Sequence, residues 1–226
     1  YQMGDFMVFQ IQKAGFWKRF SAWLIDAVLV AVLCMAVSLP VLNLLHFDEY
    51  GSQLTAIQEQ YKSAIEQKYN VELDITEEEY EKLPDSEKTV YENAYKELND
   101  VLSKDADYVQ LRATRVSLII TNLCISLFIS ILLAHFILPL FLKNGQTLGK
   151  KVFGLAVMRT SGVKIAPTSL FARAMIGVYA IETMAVAFFL SIYPVGVVAA
   201  VLMQVMQIVV MVKTNTNSAI HDLLAD

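Results

Sequence analysis

Apolar and polar positions follow one another along this chain in long blocks. Residues 17–45 are almost wholly apolar, residues 46–115 are polar and charged, and residues 116–142, 170–192 and 194–212 are apolar again. Each apolar block supplies at least ~19 residues, enough for a helix to cross a ~30 Å hydrocarbon core. The pattern therefore predicts four membrane helices, the first interrupted late by Pro40. Tyr193-Pro194-Val195-Gly196 divides the last two blocks into a tight hairpin, because Pro and Gly punctuate helices. The fold class expected is all-α: a polytopic membrane protein built as a four-helix bundle, with residues 46–115 as a helical hairpin insert.

Inside the polar block the period is helical. Leu54, Ile57, Tyr61, Ala64 and Lys68 recur at three- and four-residue spacing, as do Tyr91, Ala94, Leu98 and Val101, which predicts apolar stripes on two helices. Thr76 with Glu79 reads as a capping box, and Pro84 suits a first helical turn. The acidic triplet Glu77-Glu78-Glu79 reads as a helix N-terminus and not as a calcium loop, since EF-hand spacing is missing.

Charge orients these blocks. Residues 46–115 hold 17 Asp/Glu against 8 Lys/Arg, while the rest of the chain holds 5 against 10. Lys13 precedes the first apolar block, and Lys18 and Arg19 stand at its very start. Lys143, Lys150, Lys151, Arg159, Lys164 and Arg173 lie between the second and third blocks or just inside the third, and Lys213 follows the fourth. The positive-inside rule then expects a multi-pass protein of the cell membrane. Both termini and the 143–169 loop would be cytoplasmic, residues 46–115 extracellular, and residues 213–226 a cytoplasmic tail. The composition agrees: 226 residues, 56% hydrophobic, with a mean hydropathy of +0.48, too apolar for an ordinary soluble domain. No basic patch suggests nucleic acid. Cys34 and Cys124 both fall in apolar blocks, so neither a disulfide framework nor a zinc site is expected. No small-residue cleavage site follows the first apolar run, so no cleavable signal peptide is expected.

Polar side chains inside the apolar blocks carry the candidate chemistry. An ionised carboxylate at mid-helix costs roughly 2.5–3.5 kcal/mol on insertion scales, and Asp26 stands in the first block. At ~1.5 Å per residue, Asp26 lies roughly 10 Å from the cytoplasmic boundary, His135 roughly 12 Å, and Gln207 and Gln204 roughly 9 and 14 Å. Arg173 enters about 5 Å and Glu182 about 18 Å by the same count. Facing the bundle interior is the less costly arrangement for all six, so Asp26, His135, Arg173, Glu182, Gln204 and Gln207 form a candidate intramembrane polar path. Asp26 is also readable as a structural hydrogen-bond acceptor, with Arg173 or the Gln204/Gln207 pair as partner. Glu182 is the best proton-carrier candidate, since burial disfavours a carboxylate's charged form. His135 reads either as a packed polar residue or as a titrating group. Arg19 reads as a snorkelling anchor or as a partner for Asp222 of the tail. Met203, Met206 and Met211 read as packing.

Between the second and third blocks lies Asn144-Gly145-Gln146-Thr147-Leu148-Gly149-Lys150-Lys151-Val152-Phe153-Gly154-Leu155-Ala156-Val157. Its glycines are spaced for tight packing and not for phosphate binding, because the GxxxxGK[ST] pattern is incomplete. The stretch is basic and reads as an amphipathic segment at the lipid interface. Together these features resemble the RDD membrane-protein family. That family's pattern has an arginine at the start of helix one and an aspartate within it, matched by Arg19 and Asp26. A TLGK-type segment is matched by Thr147-Leu148-Gly149-Lys150 with Gly154-Leu155. An HDLL-type tail is matched by His221-Asp222-Leu223-Leu224, which makes Arg19, Asp26 and Asp222 the signature residues. The departure is the insert of about 65 residues between the first two helices, where family members usually have a short connection.

The resemblance implies transport of a small ion or solute, sodium/proton exchange included, or a structural or regulatory subunit that assembles with other membrane proteins. No cofactor is implied. A membrane enzyme is the weakest class, since the chain has no HExxH and no nucleophile elbow. The partners expected are the lipid bilayer, a second copy or another membrane protein, and a proton or monovalent cation.

Overall fold

The computed structural model describes residues 15–142, 145–155, 166–191 and 195–213, and all its regular elements are helices. Helix α1 spans Phe16–Leu44, α2 Phe47–Tyr69, α3 Glu77–Lys82 and α4 Asp85–Lys104. Helix α5 starts as Ala106–Ile131, passes through a π-helical stretch Leu132–Ile137 and ends as Leu138–Phe141. A short α6 covers Leu148–Val152. Helix α7 comprises Pro167–Ala172, a π-helical stretch Arg173–Met184 and Ala185–Ser191. Helix α8 is Val195–Lys213.

Among the described residues, three helices are long and apolar enough to cross a membrane: Phe16–Leu44, Ala106–Phe141 and Pro167–Phe189. Val195–Val210 is a shorter apolar helix. Their surfaces fit hydrocarbon surroundings. Trp17, Leu39, Leu44, Phe141, Val195 and Leu202 are all exposed, and so much uncovered apolar area in water would be disfavoured. Pro40 lies inside α1 and does not end it; the helix continues to Leu44.

The second apolar helix does not begin at the polar-to-apolar change near Val116, as the block pattern suggests. It begins ten residues earlier, at Ala106. Asp105 caps that start, its Oδ1 accepting the Tyr108 amide at 2.7 Å. Residues 106–115 include Ala, Leu, Gln and Arg, all good helix formers, so polarity changes along α5 without a break.

The chain divides into two compact units, residues 38–124 and residues 1–37 with 125–226. In the first, α2 and α4 pack against each other around Ile65, Leu73, Ala94, Leu98 and Leu102. The predicted stripe on α4 holds through Tyr91, Ala94 and Leu98 and then runs to Leu102 in place of Val101, which is only half-buried. On α2 it runs through Ile57, Tyr61 and Ile65, with Ala64 and Lys68 exposed, because Ile65 offers more apolar area to the core than Ala64. Tyr61 donates to Asp105 Oδ2 at 2.7 Å, and Lys68 and Tyr69 both donate to Glu97. The capping box forms: the Thr76 amide donates to Glu79 Oε2 at 2.8 Å and the Glu79 amide to Thr76 Oγ1 at 3.4 Å. Pro84 stands at the N-cap of α4, one position before the predicted first turn. Within this unit Asn122 Nδ2 donates to Ser38 Oγ at 2.8 Å, tying α5 to α1.

In the second unit, the π stretches of α5 and α7 pack against each other. Small residues line these stretches: Ala134 is buried on α5 and Ala174 and Gly177 on α7, and Ser126 and Ser130 extend the buried row on α5 at every fourth position. Small side chains at such spacing let apolar helices come close where lipid supplies no hydrophobic drive. Phe136 meets Phe171 edge-on and Phe128 meets Tyr179 likewise, at centroid distances of 5.3 and 5.4 Å. Pro139 removes the amide that would close an α-helical bond to the His135 carbonyl, and the π stretch ends two residues before it, at Ile137.

Candidate functional site

The most completely described polar constellation of this unit begins on α1. Ala22 and Asp26 are one helical turn apart and so share a face. Ala22 is fully buried and Asp26 is only 5% exposed. The partners shown for Asp26 come from the loop after α5, more than 120 residues away. Thr147 Oγ1 donates to Asp26 Oδ2 at 2.5 Å, and the Gly149 amide donates to Asp26 Oδ1 at 2.7 Å. Each carboxylate oxygen thus receives a charge-assisted hydrogen bond, the kind that offsets the desolvation of a buried anion.

Local geometry places both donors. Thr147 is the N-cap of α6, and its Oγ1 also accepts the Lys150 amide at 3.4 Å. The hydroxyl therefore closes the helix start with its lone pair while its proton goes to Asp26. Gly149 follows in the first turn, where amides have no intrahelical acceptor. A Cβ at this position would lie 2.1 Å from the Ala22 carbonyl oxygen and 3.0 Å from Asp26 Cγ. Only glycine lets the loop backbone lie this close to α1. The far end of α6 is closed by a Schellman arrangement: Gly154, at φ +64°, donates to the Lys151 carbonyl at 3.1 Å and Leu155 to the Lys150 carbonyl at 2.8 Å. Gln146 Nε2 donates to the Leu155 carbonyl at 2.7 Å, joining the two ends of the segment.

The segment is also seated on α7. Gly145 has φ +59°, and a Cβ there would come within 3.2 Å of Leu170 Cδ2. Leu170 is buried, packs with Phe136 and precedes the almost fully buried Arg173 by one turn. Residues 145–155 are thus clasped between α1 and α7 through two glycines. Within the stretch read as an amphipathic interfacial segment, the described residues form a single capped turn held by Asp26.

The other candidates fall as follows. Arg19 is half-buried in the first turn of α1. Asp222, with His221, lies outside the described residues, as do Lys143, Arg159, Lys164, Tyr193 and Pro194. His135 is half-buried in the π stretch of α5, and Glu182 is half-buried in that of α7, which Arg173 opens. Those two stretches pack together, so all three ionisable residues lie on one pair of apposed π helices. Thr183 donates to the Val178 carbonyl, five residues back, at 2.8 Å, in keeping with the π register. Gln204 and Gln207 are half-buried on α8. For Asp26, the partners shown are Thr147 and Gly149, in place of the Arg173 or helix-four glutamines that depth favoured. Among the described residues no three His, Cys, Asp or Glu side chains gather as a metal-holding group.

Thr147 and Gly149 were within reach of sequence reasoning only as a motif. The available signal was a Thr-x-Gly at a helix start, where hydroxyl and amide donors converge, facing a lone carboxylate one turn after an alanine.

A family model described as the RDD family matches residues 13–226. Neither a curated protein nor a solved structure matches the chain.

Proposed function

The chain belongs to the RDD family, a membrane-protein assignment that covers nearly its whole length, and we propose that it moves a small ion or solute across the membrane by proton-coupled cation exchange. The carrying observation is the pair of apposed π-helical stretches bearing His135, Arg173 and Glu182 inside otherwise apolar helices. Ionisable residues within a membrane are costly and mark transport paths and proton relays, and π segments are frequent at functional sites.

In this reading Glu182 carries the proton or cation, His135 assists the relay, and Arg173 sets the local charge. Asp26 has a different task. Both of its oxygens are engaged by the 147–149 turn, so it anchors the loop beside the path, and Gln204 and Gln207 complete the polar lining from α8. Four spans are proposed, with α8 as the fourth. The cation distribution supports cytoplasmic termini and an extracellular 46–115 insert. A bundle this narrow would work as a homo-oligomer, without cofactor and without an enzymatic step.

The test is flux in reconstituted vesicles. With a preset proton gradient, sodium or potassium should dissipate the gradient in wild-type vesicles, and Glu182→Gln should abolish the effect while leaving the melting temperature near wild type. Absence of ion-dependent flux in wild type, or full flux in Glu182→Gln, would reject the reading in favour of a structural or regulatory subunit that assembles with other membrane proteins.

A further inference from the structure

The 38–124 unit carries a second constellation, independent of the transport reading. Three tyrosines form a continuous ladder on its surface. Tyr80 of α3 lies 5.3 Å from Tyr91 of α4, centroid to centroid, and Tyr91 stacks on Tyr95 at 6.1 Å with an interplanar angle of 19°. They line an open groove of about 380 Å³ together with Glu92, Lys96 and Asp100. Tyr95 is half exposed. Two hydroxyls are anchored: Tyr80 donates to Glu92 Oε1 at 2.7 Å and Tyr91 to the Leu73 carbonyl at 3.1 Å. The ladder is therefore held in place before any ligand arrives, which reduces the ordering cost of binding.

The chemistry of the groove selects for cations. Tyrosine faces attract ammonium and guanidinium groups within about 6 Å of the ring centroid, and this unit already uses the contact. Lys88 Nζ lies 5.8 Å from the Tyr80 ring and Lys68 Nζ 5.1 Å from the Tyr69 ring. The Asp100 carboxylate takes no partner among the described residues, and Glu92 takes only the Tyr80 hydroxyl on one oxygen. The surrounding segment holds 17 Asp/Glu against 8 Lys/Arg, so its field gathers cations and repels anions.

The shape separates a peptide from a free ion. The lining follows one face of α4 from residue 91 to residue 100, roughly 14 Å at ~1.5 Å per residue. A single ammonium would occupy one end of it, whereas about four residues of extended chain at ~3.3 Å each match its length. Arginine suits it best, because a guanidinium stacks on aromatic faces and forks to a carboxylate in one pose.

We propose that this groove docks a basic, arginine-containing segment of a partner polypeptide. A guanidinium stacks on the half-exposed ring of Tyr95, the outer end of the ladder, and pairs with Asp100 or Glu92. Lys96, on the same lining, opposes binding and so keeps the contact reversible.

The test uses the full chain in detergent and a fluorescent hexapeptide alternating glycine and arginine, read by anisotropy. Wild type should bind the peptide, and Tyr95→Leu and Asp100→Asn should each weaken binding by about tenfold while Tyr95→Phe stays within about twofold. Lys96→Gln should tighten binding, and Glu77→Gln, an equal charge change away from the groove, should leave it unchanged. Unchanged melting temperatures for the Tyr95 variants would show that the unit stays folded. No binding to wild type, no loss in Tyr95→Leu, or equal losses in Glu77→Gln and Asp100→Asn would each overturn the proposal. Displacement of the peptide by free arginine or tetramethylammonium at the peptide's own concentration would assign the groove to small cations and overturn the peptide occupant.

Discussion

The two units of this molecule solve the problem of holding helices together in opposite ways. The α2–α4 pair is joined by an ordinary apolar core. Ile65, Leu73, Ala94, Leu98 and Leu102 are buried together, and charged side chains pair around them, as Lys68 does with Glu97. The apolar unit cannot rely on that force, because its surroundings are as apolar as its side chains. Its loop is held by shape and by a few polar bonds: two glycines that let backbone reach helix, and one carboxylate that takes a hydroxyl and an amide. Stability spread over an area tolerates small errors. Stability concentrated in one glycine and one carboxylate does not, which gives a physical reason for a family pattern written in single residues.

The sharpest way to break the comparison is to injure each unit once. Leu98→Ala removes a core side chain and should lower the stability of the 46–105 region by about 2–5 kcal/mol. Gly149→Ala adds a single methyl group where the nearest backbone atom leaves no room, and should cost about 1–3 kcal/mol at the loop. Hydrogen exchange separates the two outcomes. Leu98→Ala should speed exchange along α2 and α4 and leave residues 147–155 unchanged, and Gly149→Ala should do the reverse. Faster exchange in both regions from either variant would show that the units do not unfold separately.

Acid should act on the insert with a smaller effect. Glu97 is held below the usual carboxylate range by hydrogen bonds from Lys68 and Tyr69, Asp105 by the Tyr108 amide and the Tyr61 hydroxyl, and Glu79 by the Thr76 amide and hydroxyl. A depressed folded-state value means that the unfolded chain binds protons first on acidification. The extra stability is therefore fully present above the ordinary carboxylate range, near pH ~4, and is lost as pH falls through the depressed values. Tyrosine fluorescence of the insert should show a melting point that drops below about pH 4, by a small amount because Glu79 is exposed and Glu97 and Asp105 only half-buried, so that water screens all three. A melting point that rises on acidification would contradict the pairing.

The same contrast explains what was legible in the chain. The insert helices announce themselves, since Tyr91, Ala94 and Leu98 repeat with the helical period and Thr76/Glu79 is a local signal. On α2 spacing alone does not choose between the neighbouring Ala64 and Ile65, whereas side-chain size does, and Ile65 is the buried one. The apolar helices were visible from hydropathy. The early start of α5 is not, because polarity changes near Val116 while the helix runs on unbroken from Ala106. The π stretches around His135 and Glu182 leave no periodic mark. The pairing of Asp26 with Thr147 and Gly149 is a contact across more than 120 residues. The residues were recognisable as motifs, but only the three-dimensional fold shows that one motif exists to receive the other.

The central claim is that Asp26 works as the anchor of the 147–149 turn, and a double-mutant cycle tests it most directly. Asp26→Asn and Thr147→Val each disturb one side of the 2.5 Å bond, and each should destabilise the protein by about 1–3 kcal/mol, since each leaves a buried polar group poorly matched. In detergent, thermal unfolding of wild type, both single variants and the double variant should give a coupling of at least ~0.5 kcal/mol, the double variant losing less than the sum of the singles. Strict additivity would mean that Asp26 and Thr147 do not act on each other, and the anchoring account would fail.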